Sequence, residues 1–304
     1  MFKKYSSIEN HYQNKYIQRF LEWHPEIADD RFTVEHKIDG ANVSILIDEN
    51  DNVFWAKRSG IIPDDENFMG LNDIKHEYDE LIKFLIEWKH REEVNTIQLY
   101  GELHGPGIQK RANYGDKKKI EFFDAKLDGE FMAPVYFYEL MSAVGWCRQI
   151  RVIEIVEGLD NALNVKTRYK TDTGSLIEGV VIKPLINNYY SPLGERFVLK
   201  KKNEEFAEKS KTKKKKEVKK HRPEVEEARQ EFESFVNENR VLSVFSKEGE
   251  IDDTKDIGKY IKLVLEDAKE DFFKENSIDG FTKDEEKYTF NVSGQIVPIL
   301  RKYL

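Results

Sequence analysis

The segment Glu35-His36-Lys37-Ile38-Asp39-Gly40-Ala41-Asn42 puts a lysine at the edge of a strand-like run, beside an Asp-Gly turn. A lysine amine can act as a nucleophile, although Asp-Gly alone most often marks a hairpin. Lys57-Arg58-Ser59-Gly60 follows, and is bland by itself. Tyr100-Gly101-Glu102-Leu103-His104-Gly105-Pro106-Gly107-Ile108-Gln109-Lys110 ends a hydrophobic strand in a Gly/Pro-rich loop, whose ordinary reading is a turn. Glu178-Gly179-Val180-Val181-Ile182-Lys183-Pro184 places a carboxylate at the entry of a buried strand. Leu199-Lys200-Lys201-Lys202-Asn203 puts Lys200 and Lys202 on one face, because strand side chains alternate. Several familiar sites are missing. The chain has no Gly-x-x-x-x-Gly-Lys loop, no Gly-x-Gly-x-x-Gly after a strand and no Gly-x-Ser-x-Gly elbow, and its histidines do not fall at metal-pair spacings.

Each fragment is weak alone, but their order is informative. A strand-end Lys with a Gly turn, then Arg-Ser-Gly, Gly-Glu, Phe-Asp, Glu-Gly-Val-Val-Ile-Lys-Pro and paired Lys resembles the ordered motif set of the covalent nucleotidyltransferases. Those are the polynucleotide ligases and mRNA capping enzymes. Met1-Phe2-Lys3-Lys4-Tyr5-Ser6-Ser7-Ile8-Glu9-Asn10-His11-Tyr12, Gly105-Pro106-Gly107-Ile108-Gln109-Lys110 and the run from Lys200 to Asn203 narrow the resemblance to the RNA ligase 2 family of tailed phages. So do Asn239-Arg240-Val241, Ser246-Lys247 and Gly249-Glu250-Ile251. The similarity spans essentially the whole chain.

The resemblance implies three nucleotidyl transfers: Lys37 to the α-phosphate of ATP, AMP to an RNA 5′-phosphate, and a 3′-hydroxyl to that activated end. An ordinary lysine is neutral only about 0.04% of the time at pH 7, so cationic neighbours and a metal ion must favour its free amine. By resemblance, Lys200, Lys202 and Arg58 supply charge and grip phosphate, and Asn42 contacts the reacting phosphate. Glu102 matches the ribose-contacting acid, Glu178 the acid that holds Mg²⁺ or Mn²⁺, and Phe123 the aromatic that stacks on adenine. Strand alternation sends the neighbouring Phe122 to the opposite face. Glu35 and His36 fall at nucleoside-contact positions, but His36 stands where the family commonly has Glu, which weakens that assignment for both. Ala41 replaces the Thr of a close relative. The implied partners are ATP and RNA with 3′-hydroxyl and 5′-phosphate ends, nicked duplex above all.

These residues need elements to hold them. Segments 32–37, 43–47, 53–56, 96–100, 120–123, 152–156, 177–182 and 197–199 are short and rich in β-branched and aromatic residues, as strands are. Helical spacing marks 72–89, and a helix is expected over 8–23. Strands and helices do not alternate regularly, so an α+β, antiparallel-rich core is expected. The resemblance makes it a nucleotidyltransferase (ATP-grasp-like ligase) domain over 1–208. Residues 209–220 carry eight lysines and one glutamate, a local +7 that reads as a solvated linker. With His221 they form a basic linker, 209–221, ahead of a small all-helical domain over 222–304. There Pro223 suits a first helical turn, and 257–273 and 296–304 are periodic. A DNA ligase or capping enzyme, the competing reading, has a β-rich oligonucleotide-binding barrel in that place.

Composition sets the outer bounds. The 304 residues carry a net charge of −8, so the chain outside the lysine block sums to −15. With 19 Phe, 14 Tyr and 4 Trp there is bulk for a core despite 35% charged residues. No stretch has the ~18 apolar residues of a membrane span, and no apolar signal core follows Ser7. One cysteine, Cys147, excludes an internal disulfide and a Cys-rich zinc cluster. The expectation is a monomer in a reducing cytoplasm, that of an infected bacterial cell where a phage encodes it, with no membrane partner.

Overall fold

Side-chain alternation builds two sheets in the first of two compact units, Met1–Glu205. The computed structural model describes residues 2–145, 149–208 and 221–304; Cys147 and the basic block 209–220 lie outside the described residues. One sheet holds β1 (Glu9–Asn10), β2 (Arg31–Lys37), β9 (Val152–Glu157), β10 (Gly179–Pro184) and β11 (Leu199–Lys202), in the order β1-β11-β10-β2-β9. The other holds β3 (Ala41–Ile47), β4 (Val53–Lys57), β5 (Gly60–Ile61), β6 (Ile97–His104), β7 (Lys119–Leu127) and β8 (Glu130–Phe131), in the order β5-β4-β3-β6-β7-β8. All these named strand pairs are antiparallel except β1 with β11.

Each sheet packs one face against helices. Phe32, Val34, Val180, Ile182 and Leu199 form a core with Tyr16, Ile17 and Phe20 of α1 (Asn14–Trp23) and with Leu159 and Ala162 of α4 (Leu159–Asn164). Val43, Ile45, Leu99 and Phe122 pack with Leu81 and Leu85 of α2 (Asp79–Arg91) and with Phe137 and Met141 of α3 (Pro134–Val144). The opposite faces carry the polar residues and meet across a cleft. Lys183 of the first sheet crosses it to donate to the Phe123 carbonyl of the second at 2.6 Å.

Two expected helices begin later than their periodicity suggested. Glu9–Asn10 pairs with Leu199 and Lys200 as a strand, so α1 starts only at Asn14. A long-range edge pairing overrides local preference there. Residues 72–78 form 3₁₀ turns after a kink with positive φ at Met69 and Gly70, and α2 starts at Asp79. Those turns let the Tyr78 hydroxyl accept the buried Ile120 N–H at 2.7 Å.

The second unit, Phe206–Leu304, has its own core. It contains α5 (Pro223–Ser234), α6 (Glu238–Glu248), α7 (Ile257–Glu275), α8 (Lys283–Phe290) and α9 (Ser293–Leu300), and no strand among its described residues. Pro223 occupies the first turn of α5, and a Thr282–Glu285 capping box opens α8. Buried Arg240 holds α6 to α7 through Asp267 at 2.6 Å and Asp271 at 2.7 Å. Among the described residues no helix is long and apolar enough to cross a membrane.

Candidate active site

Lys37 is the last residue of β2, and residues 38–40 then carry the chain from the first sheet into β3 of the second. Register decides its neighbours. Gly179 of β10 lies opposite Lys37 on one side and opposite Lys202 of β11 on the other. The preceding Glu178 therefore receives both ammonium groups: Lys37 Nζ is 2.7 Å from Oε2 and Lys202 Nζ is 2.7 Å from Oε1. Gly179 permits this spacing, since a Cβ there would stand 2.2 Å from the Lys201 carbonyl oxygen. Burial pushes the Glu178 carboxyl up, but Lys202, Lys37 and Arg111 outweigh it and hold the group at about 2.

The second sheet faces this cluster with Asn42 and Glu102, directly opposed on β3 and β6. Burial and the nearby Glu178 and Asp39 charges raise the Glu102 carboxyl to about 8, with Lys37 and Arg58 pulling the other way. Glu102 is thus chiefly protonated at pH 7, and a neutral acid can donate to a hydroxyl without repelling phosphate. Arg58 stands in the turn after β4, its Nη2 donating to the Ser7 hydroxyl at 3.1 Å.

A bulge in β7 decides the aromatic. Gly101 pairs with Phe122 and Tyr100 with Asp124, which leaves Phe123 as the extra residue. Phe122 is wholly buried among α2 and α3, whereas Phe123 is half-buried on the cleft side. Its ring meets Tyr5 edge-on at 5.1 Å and has Lys183 Nζ 5.6 Å from its centroid. The same bulge turns Asp124 into the cleft, where it receives Arg196 at 2.6 Å and the Tyr5 hydroxyl at 3.0 Å.

Not every expected residue joins the Lys37 cluster. Glu35 is on the cleft face but buried, bound by Lys183 at 2.9 Å and the Tyr138 hydroxyl at 2.5 Å. Its carboxyl is raised by burial against the pull of Lys183. His36 points to the opposite face, toward the Tyr169 ring 6.4 Å away, because it alternates with Lys37. Lys200 shares the face of Lys202 by register, while Lys201 turns away and donates to the carbonyls of Leu163 at 2.8 Å and Val165 at 2.9 Å. Sequence reasoning did not single out Asp39, Arg111 or Arg196. Asp39, Lys183 and Asp124 lie inside the motifs named above without a role of their own, and Arg111 carries no sequence signal.

Among the described residues no group of three or more His, Cys, Asp or Glu is arranged to hold a metal ion. Glu178 has both oxygens taken by Lys37 and Lys202, so an oxygen-preferring cation that keeps waters and shares phosphate oxygens would replace an ammonium contact there.

The RNA ligase profile matches residues 30–202, more than half of the chain and the whole stretch from β2 to β11. The chain belongs to the RNA ligase family. A second profile, the C-terminal domain of T4 RNA ligase 2, matches residues 218–296, and the two together are those of the RNA ligase 2 family. Among solved structures, a mutant of Naegleria gruberi RNA ligase with ATP and Mn superposes with a TM-score of 0.50 at 16% identity, covering 66% of this chain and 56% of that one. Another mutant of the same ligase with ATP and Mn gives 0.51 at 16% identity over 67% of this chain and 56% of that one. This member of the RNA ligase family thus spans little more than half the length of those ligases and shares their nucleotidyltransferase fold.

Proposed function

We propose that the chain is an ATP-dependent RNA ligase that joins 3′-hydroxyl and 5′-phosphate RNA ends, with nicked duplex as its preferred form. The observation that carries this reading is the bridge of Glu178 between Lys37 and Lys202, at 2.7 Å to each. In the first step the Lys37 nitrogen bonds to the α-phosphorus of ATP, the bond to the β-phosphate oxygen breaks, and pyrophosphate leaves as the amine proton passes to solvent. In the second, a 5′-phosphate oxygen of RNA attacks the same phosphorus, the bond from phosphorus to the Lys37 nitrogen breaks, and that nitrogen takes a proton from solvent to leave as the free amine. In the third, a 3′-hydroxyl attacks the 5′-phosphorus, AMP leaves and a proton is released.

The residues divide this work. Lys202, Lys200 and Arg58 neutralise phosphate charge, and Asn42 points at the same space from β3. Protonated Glu102 hydrogen-bonds a ribose hydroxyl, and the Phe123 ring stacks on adenine. Glu178 would hold Mg²⁺ or Mn²⁺, which when bound would supply further charge stabilisation on the phosphates. We assign Glu35 to the scaffold, because Lys183 and Tyr138 engage both its oxygens. His36 receives no nucleotide contact, because its ring lies on the other face of β2. The helical second unit, with no strand among its described residues, favours this reading over a barrel-bearing DNA ligase or capping enzyme. With the lysine block it adds phosphate contacts that position RNA without reading bases, and the chain works as a cytoplasmic monomer. The test is incubation with α-labelled ATP and Mg²⁺, peptide mapping, then sealing of matched RNA and DNA nicks. Label on Lys37, lost in Lys37→Arg and in EDTA, with RNA nicks sealed, is the expected result; label on another lysine, or none, rejects it.

A further inference from the structure

The loop of residues 105–118, between β6 and β7, reaches across the cleft and fastens the segments that carry both Lys37 and Glu178. On the Lys37 side, Arg111 Nε donates to Asp39 Oδ2 at 2.9 Å, and Arg111 Nη2 donates to Asp39 Oδ1. The Asp39 N–H donates to the Tyr114 hydroxyl oxygen at 2.8 Å. Both the side chain and the backbone of the turn after Lys37 are therefore held by this one loop. That turn has little room to adjust, since a Cβ on Gly40 would stand 2.4 Å from the Leu103 carbonyl oxygen. On the Glu178 side, the Asn113 carbonyl accepts from the hydroxyls of Thr171 at 2.8 Å and Thr173 at 2.6 Å. Those threonines lie in the hairpin bridged by Lys170 and Leu176, which leads directly into Glu178. The ion pair is well shielded, with side-chain exposures of 15% for Arg111 and 4% for Asp39.

We propose that Arg111, acting through Asp39, is a positioning residue for nucleotidyl transfer: it fixes the turn that sets where the Lys37 amine stands. The proposal rests on the ligase reading above. A bidentate guanidinium–carboxylate pair defines direction as well as distance, which a single lysine contact does not. Misplacement of a nucleophile by about 1 Å can cost about 100-fold in rate while leaving substrate binding nearly unchanged.

The experiment measures single-turnover lysyl-AMP formation against ATP concentration in the full chain. It compares the wild type with Arg111→Gln, Arg111→Lys, Asp39→Asn and the Asp39→Asn/Arg111→Gln double variant, after circular dichroism has verified folding. Arg111→Gln should lower the maximal rate about 10- to 100-fold with half-saturating ATP within about twofold of wild type. Arg111→Lys, which keeps a charge opposite Asp39, should recover part of that loss. The double variant should be no slower than the slower single one, because both remove the same pair. A wild-type maximal rate in folded Arg111→Gln, a loss confined to ATP half-saturation, or multiplicative losses in the double variant would overturn the positioning role. Should Arg111→Gln fail to fold, Asp39→Asn carries the same test, and a wild-type maximal rate there overturns the proposal. A wild-type chain that forms no lysyl-AMP would overturn the ligase reading and this proposal with it.

Discussion

Glu178→Gln is the most informative single change, because one atom type is altered between two ammonium groups that are each 2.7 Å away. The wild-type carboxyl is held at about 2, against an ordinary 4.5. That fall corresponds to about 3 kcal/mol of folded-state stabilisation at pH 7, at about 1.4 kcal/mol per tenfold. The sign follows from the direction. A depressed carboxyl stabilises the fold fully above its unfolded value of 4.5 and loses that contribution as pH falls toward about 2. By pH 3 about 2 kcal/mol of it should be gone. Glu178 is 4% exposed on its side chain, so solvent screening takes little from the figure. Denaturant unfolding at pH 7, 5, 4 and 3 should therefore give a wild-type advantage of order 2–3 kcal/mol at pH 7 that shrinks toward the lowest pH. In parallel, Lys37 adenylation should fall about 100- to 1,000-fold in the variant. A stability difference that is the same at every pH would refute the claim that Lys37 and Lys202 hold Glu178 ionised.

Lys202→Ala should slow lysine adenylation about 100-fold, whereas Lys201→Ala should leave it within about twofold and cost about 1–2 kcal/mol of stability through its two carbonyl bonds; equal rate losses would reject the assignment of the two lysines to opposite faces. Glu102 is raised to about 8, so stability tied to its protonated form is complete below 4.5 and lost as pH rises through about 8. Melting of Glu102→Gln should accordingly gain on wild type between pH 5 and 9, and a constant gap would count against a neutral, half-buried Glu102. A fragment ending at Glu205 contains both sheet cores and every proposed ATP contact, so it should fold and adenylate Lys37 yet seal nicked RNA at least about tenfold more slowly. Full-rate sealing by the fragment would remove the second unit from the proposed mechanism.

Much of this arrangement is legible in the chain itself. Alternation alone separates Lys200 and Lys202 from Lys201, and Phe122 from Phe123, because a strand offers only two faces. The 3.6-residue spacing after Pro223 announces helices, since an amphipathic stripe is a local property. Motif order alone points to the family. What the tertiary structure alone decides is register and long-range pairing. Glu9–Asn10 becomes a strand only because Leu199 and Lys200 lie alongside it, about 190 residues away in sequence. Asp124 enters the cleft only because a bulge opposite Gly101 adds one residue to β7, which no two-residue period foretells. Glu35 and Lys183 find each other across two neighbouring strands, and Arg111 meets Asp39 from a loop 72 positions away. Such partners depend on how strands and loops close in three dimensions, and charge or composition near each residue carries no record of them. Local alternation therefore determines facing along regular strands, and only the folded chain determines where a bulge breaks it and whom each residue meets.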